Sequence, residues 1–538
     1  MPPHPVDRQC CRWTDRRRAG CHEALAGRRW LTVAVQPLID ATGAAQADEA
    51  GWGRDDRPEE SDPPAGGDSH RMRRSPPRAL AVTGLTVVFL AGCSGTAPDT
   101  SSGGPRQLVD VPAEQVTITG ATDNPIDRLA RNALADLETF WADAFPRFYR
   151  VAFPPLAGGY FSVDSSALDA ARYPPSGIGC PEHPMDPAAV AGNALYNPRC
   201  DAIAYDRSLL QDLADTYGRS LPAVVLAHEF GHAVQGRVGF AASGRSIQDE
   251  TQADCFAGAW TAWVNDGEAR HLAIDERDLD GVLRGYLLLR DPVGSDPDNS
   301  QAHGSYFDRV SAFSEGHDGG VASCRDHFGP DRLFTAETFD QDELANRGNA
   351  AYGETLLIVD NTLPPFWRAV LLEEFEREFD EPTIRPLDRM PPPCAERSTE
   401  DLDLAFCEAD STVYYDETEL ARPAYQQLGD FAVITAISLP YSLAARSDLG
   451  LSIDDEAATR SAVCLTGWYA AQVFKGAFAG SAGVRISPGD IDEAVTFLLT
   501  YGLSDRVFPD VDASGFELLR AFRNGFLHGG GPCDIGLR

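Results

Sequence analysis

The sequence predicts an α+β fold that is mainly helical and built twice over. Three observations carry that reading. One stretch of helical periodicity holds two histidines a single turn apart. A short strand candidate lies among helical runs. A set of anchor residues recurs about 209 positions downstream, in the same order.

The chain has 538 residues, 43% apolar and 24% charged, which is globular composition and enough length for several domains. Lys475 is the only lysine among 46 basic residues. A net charge of −35 and a pI near 4.6 argue against nucleic-acid or polyanion binding. The acidity is spread along the chain, as on a solvated surface.

Residues 1–71 show no sustained apolar period and are read as an upstream extension, with Met72 as the initiator. Met72-Arg73-Arg74 opens a basic start, followed by an apolar run from Ala79 to Leu90 and then Ala91-Gly92-Cys93. That run is too short to span a bilayer comfortably, so 72–92 reads as an export signal. Leu90-Ala91-Gly92-Cys93 resembles a bacterial lipobox, in which Cys93 is lipidated and becomes the mature N-terminus. Residues 93–116 then form a flexible tether, and the expected address is extracytoplasmic, lipid-anchored to the bacterial cell membrane.

From about Thr117 the chain becomes regular. Apolar spacing over Asn124–Phe145 predicts an amphipathic helix. Asp201–Asp206 predicts a short strand, and Arg207–Tyr217 another helix. Ser220-Leu221-Pro222 starts the next helix, which Gly236 and Gly239 are expected to end. That helix carries His228-Glu229-Phe230-Gly231-His232. The histidines share a face and can share a metal, while Glu229 is turned about 100° away, near a metal-bound water. A catalytic zinc wants a third protein ligand. Glu250 and Asp254, four apart on a following helical stretch, supply one carboxylate for the metal and one to orient an imidazole.

Three blocks together resemble the bacterial neutral zinc metallopeptidases, within the gluzincin pattern of HExxH followed by ExxxD. They are Leu226–Gln235, Glu250–Gly258, and His303–Val310 with Phe313, Gly316 and Cys324. The resemblance covers roughly residues 125–330. It implies a zincin-like domain, placed at 117–335, with Zn2+ on His228, His232 and Glu250. Glu229 would be the general base, and Asp254 would orient an imidazole, that of His228. A peptide or protein is the implied substrate. His303, Tyr306 and Tyr205 are candidate stabilisers of the transition state, with a loop-capping role for His303 left open.

The recurring anchors define a second copy at 336–538. Cys255-Phe256-Ala257-Gly258 returns as Cys464-Leu465-Thr466-Gly467, Ala312-Phe313 and Gly316 as Ala521-Phe522 and Gly525, and Cys324 as Cys533. In that register His228–His232 falls on Ile437-Ser438-Leu439-Pro440-Tyr441, so the second copy lacks the chemistry, with a proline where the helix should be regular. The Asp254 position falls near Arg460 or Val463, and Glu456 is the candidate remnant of Glu250. Eight cysteines divide four per copy, in an exported chain that can oxidise them. Their separations predict four disulfides: Cys180 with Cys200, Cys255 with Cys324, Cys394 with Cys407, and Cys464 with Cys533. The leading expectation is a membrane-tethered zinc metallopeptidase. The rival is a non-catalytic lipoprotein that uses the same fold as a binding or scaffolding module.

Overall fold

The computed structural model describes residues 31–34, 108–239, 244–387, 394, 402–481, 483–509 and 512–537. The expected signal stretch 72–92 and Cys93 lie outside the described residues. Of the expected extension 1–71, only Leu31–Ala34 is described. It forms strand β1, which pairs antiparallel with β4 (Asn193–Asn197).

The first half builds a five-stranded sheet in the order β1-β4-β5-β3-β2, with β2 at Ile118–Thr119, β3 at Gly159–Val163 and β5 at Ala202–Asp206. Strand β5 is the strand expected at 201–206. It runs parallel to β3 and antiparallel to β4. All five of its residues are buried, as a central strand requires.

Helix α1 spans Pro125–Tyr149. Asn124 caps it by accepting from the Ile126 and Asp127 amides, and Pro125 sits where its missing amide costs nothing. Asp206 caps α2 (Arg207–Tyr217) directly off β5. Helix α3 (Ser220–Val238) carries the two histidines. It ends at Gly239, φ 94°, and not at Gly236, which lies inside the helix against the Tyr196 hydroxyl. Helices α4 (Ser246–Asn265), α5 (Glu276–Tyr286) and α6 (Tyr306–Asp326) complete the half, α6 opening on a reciprocal Ser305–Asp308 cap.

The second half runs α7 (Tyr352–Phe375), β6 (Thr383–Pro386), β7 (Leu404–Cys407), β8 (Thr412–Tyr415), α8 (Arg422–Gln427), α9 (Asp430–Asp448), α10 (Glu456–Phe474), α11 (Asp490–Thr500) and α12 (Gly515–His528). Its sheet order is β6-β8-β7, with β8 parallel to β6 and antiparallel to β7, the same relations that β5 has to β3 and β4. Helix α9 continues through Pro440, contrary to the expectation of a disturbed helix. Burial on all sides outweighs a local cost of about 3 kcal/mol.

All four disulfides pair as the spacing predicts. Cys180 joins Cys200 across 20 residues, and Cys394 joins Cys407 across 13. These two short bridges occupy matching places. Cys200 lies between β4 and β5, while Cys407 ends β7 just before β8. Cys255–Cys324 and Cys464–Cys533 each close a 69-residue separation, the first tying α4 to α6.

The expected boundary at 335/336 falls inside one compact unit that includes residues 108–538, with one hydrophobic core running through both halves. The halves cap each other's helices. Asp492 of α11 accepts from the Tyr306 and Phe307 amides at the start of α6, and Asp280 of α5 accepts from the Phe516 amide at the start of α12. Among the described residues no helix is long and apolar enough to cross a membrane.

Candidate metal centre

Helices α3 and α4 pack closely because Gly231 lets the α3 backbone approach Ala253, where an added Cβ would sit 3.0 Å from its Cα and carbonyl oxygen. That approach brings His228, His232 and Glu250 together, with one ligand-type atom from each within 4.8 Å of the others. All three are buried.

Each imidazole is fixed from behind. Nδ1 of His228 donates to Asp254 Oδ1 at 2.8 Å. Nδ1 of His232 donates to Gln235 Oε1 at 2.8 Å. Gln235 is oriented in turn, since its amide nitrogen donates to the Asp249 carbonyl at 2.6 Å and to Gln252 Oε1 at 3.1 Å. With both Nδ1 atoms donating, the neutral rings turn the lone pairs of their Nε2 atoms to the centre.

Those two nitrogens stand 3.1 Å apart. Glu250 Oε2 lies 3.2 Å from His228 Nε2 without a hydrogen bond, and Oε1 lies 3.5 Å from His232 Nε2. Groups of this kind facing one another in a buried pocket call for positive charge among them, either a proton on an imidazole or a metal ion. Two imidazoles and a carboxylate are the donor set zinc takes, so the residues fit that metal.

The field agrees with the geometry, since it favours positive charge at the centre. Burial alone would lower the His228 pKa, but Asp254 and Glu250 push it up to about 10. Burial would raise the Glu250 carboxyl, yet His232 and His303 hold it well below the usual range. Asp254 is likewise held low against its burial, chiefly by Arg309. The Arg309 guanidinium, fully enclosed on α6, grips it with two bonds, Nε to Oδ2 at 2.8 Å and Nη2 to Oδ1 at 2.9 Å, and also donates to the Leu289 carbonyl.

Glu229 is different. Neither of its carboxylate oxygens has a hydrogen-bond partner. Burial raises its pKa. A buried carboxylate left free of partners beside a metal-type cluster is available for proton transfer.

His303 sits where Glu250 feels its charge, and Asp291 holds it through Nδ1 at 3.1 Å and through the backbone amide at 2.6 Å. The other two candidate stabilisers are spent elsewhere. Tyr306 donates its hydroxyl to the Leu283 carbonyl, and Tyr205 donates to Asp127 Oδ1, both fully buried. Glu456, taken from sequence as a remnant of Glu250, lies at the exposed start of α10 paired with Arg460. In the register of the paired disulfides, Thr459 stands opposite Glu250.

Residues 46–328, more than half of the chain, match the family described as "Putative neutral zinc metallopeptidase". The chain belongs to this family. The match to the neutral zinc metallopeptidases takes in all of the cluster and stops just past Cys324. Curated relatives include uncharacterised proteins of Mycobacterium bovis and of two Mycobacterium tuberculosis strains, each 25% identical over 177 residues. The alignment covers 28% of this chain, and the chain spans 59% of the length of those relatives. No solved structure matches.

Three site residues escape a reading of the sequence alone: Arg309, Gln235 and Asp291. The first two lie within the motif blocks, and a charged residue inside an otherwise apolar helical face was the available signal for Arg309.

Proposed function

We propose that the chain is a zinc-dependent peptidase, with His228, His232 and Glu250 holding the metal and Glu229 acting as general base. The observation that carries this is the all-acceptor cluster beside an unpartnered buried carboxylate. Bound zinc supplies a Lewis acid that polarises a carbonyl and brings the pKa of water down toward about 7. Glu229 takes the proton of the attacking water and passes it to the leaving amine, a task its raised pKa suits. Asp254 and Gln235 hold the imidazoles in the tautomer that leaves Nε2 free, and Arg309 holds Asp254. His303, fixed by Asp291, is placed to stabilise developing negative charge on the substrate.

The second half is proposed as a duplicate of the first that has lost its metal ligands. The lipobox at Leu90–Cys93 supports tethering to the outer face of the cell membrane through a lipid on Cys93, with the folded body outside the cytoplasm.

A second reading, a non-catalytic lipoprotein with a scaffolding role, is favoured by one feature: His228, Glu229, His232 and Glu250 are all enclosed, none more than 2% exposed. Zinc content of the purified chain, measured beside cleavage of a peptide library by wild type and Glu229→Gln, separates the two. The peptidase reading expects one zinc per chain in both proteins and cleavage by the wild type alone. Stoichiometric zinc with no Glu229-dependent cleavage selects the scaffold.

A further inference from the structure

The second half holds a carboxylate cluster of its own, at the point where α9 and α11 begin. Oxygens of Asp430, Asp490 and Glu493 lie within 4.8 Å of one another. Asp430 and Asp490 are each only 5% exposed. Each carboxylate has one backbone amide: Ala350 N to Asp430 Oδ2 at 2.8 Å, Ser487 N to Asp490 Oδ2 at 2.8 Å, Phe431 N to Glu493 Oε2 at 2.9 Å. Helix starts attract single carboxylates, which accounts for one cap each. It does not account for three acids turned together.

A further observation points to a ligand. Asp430 Oδ1, buried within the cluster, has no hydrogen-bond partner. Gly429, at φ +136°, lets the Glu493 carboxylate reach the start of α9, since a Cβ there would meet Glu493 Oε1 at 2.1 Å and Asn349 Oδ1 at 2.4 Å. The charges that Asp490 feels come from Asp430, Glu493 and Glu343, all of one sign. An unneutralised buried triad is costly, and a cation removes that cost.

We propose that Asp430, Asp490 and Glu493 form a second metal site, one that takes a hard divalent cation of the calcium class. The donors are all oxygen, which zinc sites of the first half's type do not use. Oxygens on opposite sides of a calcium ion stand about 4.6–5.2 Å apart, twice a bond of about 2.3–2.6 Å, and the observed spacing fits within that. Calcium accepts the irregular oxygen set that carboxylates on two helices offer, whereas magnesium demands near-octahedral geometry at shorter bonds. The site ties α9 to α11, and α11 also carries Asp492, which caps α6 of the first half. The ion thereby fixes the element through which the second half meets the metal-bearing one.

The test is equilibrium dialysis of the zinc-loaded full chain against radioactive calcium, with thermal unfolding followed in parallel. The wild type is expected to bind one Ca2+ and to unfold several degrees higher in its presence, with Mg2+ at equal concentration giving a smaller rise. Asp490→Asn and Glu493→Gln are each expected to weaken binding at least about tenfold. Without calcium these variants unfold at or above the wild-type temperature, because like-charge repulsion has been relieved, so a lost response is not misfolding. No calcium bound by the wild type at millimolar concentration overturns the proposal. So does unchanged binding in both variants.

Discussion

Helices α3 and α9 are each 19 residues long and are buried along most of their length. One carries His228, Glu229 and His232. The other, in the register of the two 69-residue disulfides, carries Ile437, Ser438 and Tyr441. The difference extends beyond the ligands. Asp254 corresponds to Val463 and Arg309 to Leu518, both fully buried, so an ionic network in one half faces an aliphatic one in the other. Ser438, opposite Glu229, simply hydrogen-bonds Thr466 at 2.9 Å. Meanwhile the packing devices are the same. A Cβ on Gly316 would meet the Cys255 carbonyl at 1.8 Å, and one on Gly525 would meet the Cys464 carbonyl at 1.7 Å. The second half holds the same close helix contacts and cysteine spacing without the charges, and on the proposed reading the charges of the first half serve the metal and not the fold.

The largest effect follows from breaking that network on one side only. Arg309→Leu leaves the buried Asp254 without its main counter-charge and is expected to cost about 3–5 kcal/mol in chemical denaturation. The double variant Asp254→Val with Arg309→Leu copies the second half. It is expected to recover most of that stability while zinc affinity falls roughly 10–100-fold, because His228 loses its orienting carboxylate. A double variant no more stable than the single one would mean that the aliphatic arrangement is not interchangeable between halves.

A pH effect comes next. Asp308, buried at the third position of α6, has its pKa pushed up to about 6, mainly by desolvation. Because the folded value lies above the ordinary 3.8, the fold favours the protonated form. The stability this confers is full below about pH 4 and is lost as the pH rises through 6, a change on the order of 3 kcal/mol. Glu517 holds the corresponding capping position on α12. Asp308→Asn is expected to flatten the stability profile between pH 4 and 6, as read by denaturant melts across that range.

Gly316→Ala and Gly525→Ala test what the halves share. Both force two helix backbones apart, and each is expected to lower stability by roughly 1–3 kcal/mol, by similar amounts. A large effect in one half alone would show that the two packings differ in kind. The smallest effect belongs to Glu456→Ala. An exposed pair with Arg460 is worth about 0.3–0.5 kcal/mol, and zinc content should not change.

What the sequence revealed and what it hid divide along one line. Spacing within a helix places His228 beside His232 and Glu250 on the same face as Asp254, because 3.6-residue periodicity is local. The long disulfides were legible because an equal separation recurs, and the short ones, Cys180–Cys200 and Cys394–Cys407, because each closes a local loop. Arg309 lies 55 residues beyond the Asp254 it holds, and no periodicity reaches across that gap. The mutual capping of α6 and α12 by Asp492 and Asp280 was equally hidden, since it depends on how two halves meet. Glu456 misled because likeness of sequence context set its register, whereas packing sets it at Thr459.

The central claim, that the first half works chemically and the second does not, is tested most directly by peptide cleavage in two matched variants with zinc measured in each. Glu229→Gln is expected to retain one zinc per chain and lose about 100-fold or more in rate, while Ser438→Ala cleaves as the wild type does. Cleavage that survives Glu229→Gln, or that falls with Ser438→Ala in a folded chain, would contradict the account.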